Sequence, residues 1–343
     1  MPRLCRCVHA LSFVSSLVRT KPFFKACVTV QMRARDLHAV DHHRAVHSGQ
    51  AGGFRTADSV GKEIARRGFS PQLQSCDYAR NARRLVPGSV QCWLWMVVEP
   101  RRDAYGQLLV AALDGEDVVE VFERDDGFIE ASAIGPKLYL APFRRWPSHQ
   151  RRAMRYAKGR VLDVGAGAGR VSLHLQARGQ DVVAIDNSPG AIEVCRRRGV
   201  RDARLLAFDA VDDSLGRFDT IVLFGNNFGL FGTPAKAKRL LRRLDRITSH
   251  DARIVAESRD VEHRGAADAP WHRRYRESNV SRGRLPGQIR IRVRFRDVIG
   301  PWMDYPMVSP DQLREILAGT RWCVARLLDS DDTYVAIIEK TGG

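Results

Sequence analysis

The residues best suited to chemistry lie in one stretch, Val161-Leu-Asp-Val-Gly-Ala-Gly-Ala-Gly-Arg170. A short apolar run leads straight into alternating glycines and then into a helical pattern. Glycines at such a turn let the backbone bend tightly and approach a ligand closely. Asp186, 21 residues after Gly165, closes the next apolar run, where a carboxylate can accept both hydroxyls of a ribose. Two cofactor classes use this geometry. A dinucleotide site wants Gly-x-Gly-x-x-Gly, with a pyrophosphate against the helix N-terminus. Here the slot for the third glycine of that pattern holds Arg170, and the glycines read Gly165-x-Gly167-x-Gly169. Asp163, two residues before the first glycine, would repel a pyrophosphate but suits the ammonium of a bound amino acid. The pattern favours S-adenosylmethionine over NAD. The bland alternative is a tight turn, with Asp186 only leading into the next helix.

These residues need a frame, and the surrounding pattern predicts one. Short runs rich in Val, Ile and Leu at 161–164, 181–185, 203–208, 219–224 and 252–257 read as strands buried on both faces. Helical segments separate them. One spans Arg170 to Arg178 before Gly179; another has Ser188 as N-cap with Pro189 in its first turn; a third starts at Thr233-Pro234. Repeated βα units with right-handed crossovers imply an α/β doubly wound sheet. A further helix runs from Ser309-Pro310 to Gly319. Trp322–Leu328 and Tyr334–Glu339 follow, joined by too short a link for a helix, so they predict an antiparallel hairpin.

With these motifs in order, residues 161–343 resemble the class I S-adenosylmethionine-dependent methyltransferases. The resemblance implies a Rossmann-like seven-stranded sheet in the order 3-2-1-4-5-7-6 with strand 7 antiparallel. It implies a cofactor site at Asp163, Gly165, Ala166, Gly167, Gly169, Asp186, Asn187, Asp209 and Gly225. Asp209, after Phe208 at the predicted end of the third strand, matches the acid that receives the adenine amino group; otherwise it is a solvated strand-end Asp. Phe218 to Gly232 matches the strand-four motif bordering methyl donor and acceptor.

Methyl transfer is an in-line displacement in which the cofactor supplies the electrophile and the protein orients the acceptor. Asn226, at the carboxyl end of strand four, is the candidate for that orientation, by hydrogen bonding; Asn226 and Asn227 are otherwise turn formers beside Gly225 and Gly229. His149, on a helix expected from Ser148 to Lys158 with Ser148 as N-cap, either faces the pocket or is structural. Residues 258–307 are an insertion after strand five. Within it, Ile289-Arg-Ile-Arg-Val-Arg-Phe-Arg296 alternates strictly, so an extended chain puts four arginines on one face. They form an anion-binding wall or, as the simpler reading, a solvated face. Aromatics at Trp271, Tyr275, Trp302 and Tyr305 line an acceptor pocket or pack the insertion. The favoured function is a small-molecule methyltransferase. The alternatives are an NAD(P)-dependent oxidoreductase and a non-catalytic or nucleic-acid-associated S-adenosylmethionine-binding module.

Composition sets the remaining bounds. The 343 residues are 44% hydrophobic and 28% charged with seven Cys, which excludes fibrous, disordered and disulfide-scaffold classes. Of the net charge of +17, nine surplus positive charges fall in residues 1–100, outside the region carrying the motifs, so nucleic-acid binding is not favoured. The cysteines (5, 7, 27, 76, 92, 195 and 323) are scattered and lack zinc spacing, which fits free thiols in a cytoplasmic, reducing setting without metal. No apolar run approaches the length of a membrane span. Residues 1–35 are Arg-rich and free of Asp and Glu, with some character of a targeting segment. The chain thus divides into a basic extension at 1–100, expected to be poorly ordered, a cap or lid at 101–160, and the cofactor-binding domain at 161–343. Oligomeric state is not legible.

Overall fold

The computed structural model describes residues 30–33, 97–263 and 270–341. The elements in chain order begin with β1 (Val30–Arg33), α1 (Ala104–Leu113), β2 (Glu120–Arg124), β3 (Phe128–Ser132), α2 (Ile134–Tyr139) and α3 (Ser148–Ala153). The alternating core follows as β4 (Val161–Val164), α4 (Arg170–Gln176), β5 (Val182–Asp186), α5 (Pro189–Arg197), β6 (Ala203–Leu205), β7 (Phe218–Leu223), α6 (Pro234–Arg246) and β8 (Thr248–Arg259). The chain then forms α7 (Pro270–Ser281), β9 (Gln288–Phe295), β10 (Val298–Ile299), β11 (Met303–Pro306), α8 (Pro310–Leu317), β12 (Trp322–Ser330) and β13 (Thr333–Lys340).

The large sheet has seven strands in the order β6-β5-β4-β7-β8-β13-β12. Counting only its own strands, that is 3-2-1-4-5-7-6. β4, β5, β6, β7 and β8 pair in parallel, and β13 runs antiparallel to both β8 and β12. The expected α/β order is therefore observed, down to the closing hairpin. Every residue of β4 and β5 is buried, as strands covered on both faces require. On one face α6 buries Ala237, Leu240, Leu241 and Leu244, while Arg and Lys occupy most of its other positions. Each such buried Leu contributes about 1.5–3 kcal/mol relative to exposure. Trp322, 2% exposed, closes this face and donates its indole N–H to Leu241 O at 3.0 Å.

A smaller antiparallel sheet stands beside the large one, in the order β1-β3-β2-β9, with β10 and β11 both on the outer edge of β9. The alternation in β9 has its expected effect: Ile291, Val293 and Phe295 are buried. The arginines do not form a free cationic wall. Arg292 and Arg294 both bond Glu123, Arg296 bonds Glu116, and the Arg292 guanidinium lies 4.4 Å from the Trp302 ring centre. Nor is the face simply solvated: Glu123 of β2 and Glu116 just before it pair with three of the four arginines, and Arg292 and Arg294 are half-buried.

Asp103 fixes the cap helix to the core. Its carboxylate accepts from Gly106 N, which caps α1, and also from Ser188 Oγ and Gly190 N at the start of α5. A Cβ at Gly190 would lie 2.6 Å from the Gly106 carbonyl carbon, so these two helices touch backbone to backbone. Three expectations need adjusting. Ser148 is the first residue of α3 and Pro147 is its N-cap; α3 is short, ending at Ala153 and continuing as a 3-10 turn over 154–156. Asp209 lies in a 3-10 turn at Phe208–Ala210, because β6 ends at Leu205. The expected poorly ordered extension at 1–100 lies almost wholly outside the described residues; within it Val30–Arg33 pairs with β3. Among the described residues, no helix is long and apolar enough to cross a membrane, and no cluster of His, Cys, Asp or Glu could hold a metal ion.

Candidate functional site

The carboxyl ends of β4, β5 and β7 open into a cavity of about 980 Å³, roofed by α1, β2, β3, β9 and β11. Of the ten residues expected at the site, Asp163, Gly165, Ala166, Gly167, Asp186, Asn187, Asp209, Gly225 and Asn226 line it. Gly169 does not. It is the left-handed N-cap of α4 (φ 72°), and a Cβ there would meet Val200 Cγ2 at 2.6 Å. This glycine serves helix packing.

The glycine loop is held from its own acids. Gly165 and Gly167 both have positive φ, a region costly to other residues. Asp186 accepts from Gly167 N at 2.9 Å and Ser188 N at 3.0 Å, which ties the end of β5 to the loop. Asp163 accepts from the backbone N and the hydroxyl of Ser172, using one oxygen for both. Burial pushes the Asp163 carboxyl up to about 6, although both Ser172 bonds oppose the rise. Burial likewise pushes Asp186 up to about 6 against its backbone donors. Neither acid has an ion-pair partner among the described residues. Arg170 also lines the cavity. Burial lowers its pKa, and its Nη1 finds no hydrogen-bond partner among the described residues.

The segment after β7 contains two asparagines with separate roles. Asn227 Nδ2 donates to Val164 O and Gly165 O at 3.1 and 3.0 Å, locking this segment onto the glycine loop. Asn226 is left-handed (φ 63°), and its Oδ1 is buried without a partner. Tyr305, from β11, reaches Gly225 O and Asn227 Oδ1, both at 3.1 Å. The sequence places Tyr305 only among aromatics that line an acceptor pocket or pack the insertion, since nothing local links it to Gly225, 80 positions away.

His149 does not line the cavity. Its Nε2 lies 2.7 Å from Glu257 Oε1, and Gln150 Nε2 donates to both Glu257 oxygens. Glu257 in turn accepts from Gly225 N and Asn226 N. Burial alone would raise the Glu257 carboxyl, but the His149 hydrogen bond and charge, with the Gln150 and Gly225 donors, outweigh it and leave the carboxyl below its ordinary value. His149 thus acts through Glu257 on the backbone of the loop after β7. Asp209 is paired with Lys236 at 3.1 Å, with both side chains about a third exposed.

The roof brings a further acid that the sequence reading missed. Glu120, the first residue of β2, is 2% exposed and lines the cavity. Its two oxygens accept from the Tyr139 hydroxyl at 3.1 and 2.9 Å, and no Lys, Arg or His pairs with it among the described residues. Burial raises the carboxyl to about 7, the Tyr139 bond opposing. The Tyr139 ring meets Tyr105 edge-on at 5.7 Å between centres. The Tyr105 hydroxyl lies 2.7 Å from where a Cβ on Gly167 would stand. No local signal marks Glu120, because Val118 to Phe122 reads only as a short β-branched run.

Comparison with known proteins picks out the same region. Residues 161–251 match the family model described as a methyltransferase domain. A 67-residue stretch is 40% identical to magnesium-protoporphyrin O-methyltransferase of Rhodobacter capsulatus, covering 18% of this chain and 30% of that protein. An 80-residue stretch is 38% identical to ubiquinone biosynthesis O-methyltransferase of Azorhizobium caulinodans, covering 22% and 32%. The chain thus matches only about a third of the length of these relatives. An S-adenosylmethionine-dependent methyltransferase from Bacteroides fragilis, solved with S-adenosyl-L-homocysteine, superposes with a TM-score of 0.60 at 23% identity, over 72% of this chain and 98% of that one. That likeness is one of fold.

Proposed function

We propose that this chain is a class I S-adenosylmethionine-dependent methyltransferase, a reading supported by the match of residues 161–251 to a methyltransferase-domain model, and that it methylates a small-molecule acceptor with S-adenosyl-L-methionine as the donor. The observation that carries the proposal is the pair of buried acids, Asp163 and Asp186, flanking a glycine loop in a cavity where neither forms an ion pair among the described residues. A diphosphate there would meet two carboxylates. A cationic amino acid and a ribose instead return hydrogen-bond donors to both.

The chain's groups fit that cofactor piece by piece. Asp186 takes the ribose hydroxyls, with Asn187 beside it. Asp163, with one oxygen kept by Ser172, turns the other toward the ammonium. The unpartnered Nη1 of Arg170 suits the carboxylate. Glycine at 165 and 167 leaves room that side chains would fill. Asp209 and its Lys236 border the adenine end. S-adenosylmethionine supplies a methyl group activated by a sulfonium. Asn226, with its buried and unpaired Oδ1, orients the acceptor, and the Glu257–His149–Gln150 group holds the backbone that carries Asn226. Much of the barrier is removed by such alignment, worth about 7–11 kcal/mol in favourable cases.

Calorimetry tests the reading. S-adenosylmethionine and S-adenosylhomocysteine are expected to bind and NAD not to; Asp186→Ala is expected to weaken binding at least 100-fold while the protein stays folded. Binding of NAD alone would overturn the proposal.

A further inference from the structure

Resting on the reading above, the structure assigns Glu120 a catalytic role: we propose that it is the base that takes the proton from a phenolic hydroxyl as that oxygen accepts the methyl group. Glu120 is a buried carboxylate whose side chain has one hydrogen-bond partner, Tyr139, and no counter-ion among the described residues. Burying an unpaired acid costs several kcal/mol, and such groups concentrate where proton transfer is needed. Gly135 adds to the case. A Cβ there would stand 2.4 Å from Glu120 Oε2, so α2 carries a glycine where the carboxylate lies.

The site has the right neighbours. From Gly167 the path runs through the Tyr105 hydroxyl, across the Tyr105–Tyr139 ring contact, to the Tyr139–Glu120 hydrogen bond. Glu120 is near enough that its charge raises the hydroxyls of Tyr105, Tyr139 and Tyr305. Tyr305 in turn touches Gly225 and Asn227, the segment after β7. The titratable groups acting on Glu120 are thus Tyr139 from α2 and Glu130 from β3, while Tyr105 from α1 and Tyr305 from β11 feel its charge. Glu130 and Ser132 of the neighbouring β3 also line the cavity, whose apolar and aromatic lining includes Phe122, Ile289, Ile291, Val293, Trp302 and Met303. Such apolar walls hold a flat ring, and the buried Glu120 carboxylate meets its hydroxyl.

In the step, the methyl carbon–sulfur bond breaks as the carbon–oxygen bond forms. The sulfonium leaves as a neutral thioether, and the phenol proton passes to the Glu120 carboxylate. Charge balances, one cation and one carboxylate giving neutral products. A carboxyl tuned close to neutrality is the effective base at working pH.

The test uses the full chain, methyl-labelled S-adenosylmethionine, and catechol and 4-nitrophenol as probes, the latter ionising near neutrality by itself. Wild-type protein is expected to label catechol, with kcat/KM rising through one ionisation near pH 7. E120Q, its S-adenosylhomocysteine affinity unchanged, is expected to lose at least 100-fold with catechol at pH 7.5. With 4-nitrophenol the wild-type-to-variant ratio should fall below tenfold. Y139F, lacking the hydroxyl that favours the carboxylate, should move the inflection to higher pH. Infrared difference spectra should show a neutral carboxyl titrating near pH 7 in wild type and missing from E120Q, with or without cofactor. Catechol labelling by E120Q within tenfold of wild type, equal losses with both phenols, an unmoved inflection in Y139F, or no titrating band would overturn the role of Glu120. Labelling of benzylamine alone, or of no phenol while S-adenosylhomocysteine binds, would overturn the phenol assignment and leave the proposed function standing. Failure of wild type to bind S-adenosylhomocysteine would remove both.

Discussion

Replacing Glu120 with Gln is expected to change the stability of the protein in a pH-dependent way, whatever its acceptor. Burial moves this carboxyl from its ordinary 4.5 to about 7, so the folded state prefers it protonated. Its stabilising contribution is therefore complete below 4.5 and is lost as pH rises through about 7. At about 1.4 kcal/mol per tenfold change in proton affinity, the wild type loses roughly 3 kcal/mol across that window relative to a neutral side chain. Gln has the same shape and still accepts the Tyr139 hydroxyl, but its amide N–H groups need new acceptors, which costs about 1 kcal/mol at every pH. The offset between the two proteins is thus small and the slope is the signal. The stability of E120Q minus that of wild type should grow by roughly 3 kcal/mol between pH 4.5 and pH 8.5. Urea denaturation at half-unit pH steps measures it directly, the midpoint crossing from lower to higher in the variant. Parallel curves, with the same difference at both ends, would refute the claim that Glu120 carries an uncompensated buried charge.

Other substitutions probe the rest of the site. Gly165→Ala places a Cβ 2.5 Å from Asn227 Nδ2 at a φ of +67°, so it should destabilise by about 1–3 kcal/mol and abolish S-adenosylhomocysteine binding, as read by melting and calorimetry. Asp103→Ala removes the shared acceptor of Gly106 N, Ser188 Oγ and Gly190 N; a loss of about 2–4 kcal/mol and raised proteolysis at α1 are expected. Glu257→Ala leaves His149, Gln150 and the amides of Gly225 and Asn226 without their acceptor, and should cost about 3–5 kcal/mol by denaturation at pH 7. The Glu257 carboxyl sits below its ordinary 4.5, so its contribution is intact above that pH and lost as pH falls through the depressed folded value; the gap between variant and wild type should narrow there.

What the sequence determined by itself is the local part of this molecule. The glycine loop, the N-caps at Ser188, Thr233 and Ser309, and the strands of β4 and β7 are short-range consequences of φ freedom, capping and apolar runs. Asp163 and Asp186 were legible because each sits a fixed few residues from an element end, and the closing hairpin because its link is too short for any crossover. The ends of β6 and α3 were less so, since a helical or extended run can stop early when the 3-10 turn that follows satisfies its backbone.

Tertiary structure decided the rest. Gly169 shares the motif's spacing, yet it faces Cys195 and Val200 because α5 packs there. For His149 the sequence left pocket and structural roles both open; the fold makes it structural, against Glu257 over a hundred positions away in the chain. The four arginines at positions 290, 292, 294 and 296 announced positive charge, but three of them are spent on acids brought alongside by β2 and its approach. Glu120 carried no mark at all in its own neighbourhood of sequence. Its chemistry arises only when β2, α2 and β11 close over the glycine loop and exclude water. A side chain's charge state and reach depend on solvation and distance, and those are properties of the assembled fold, absent from any local run of residues.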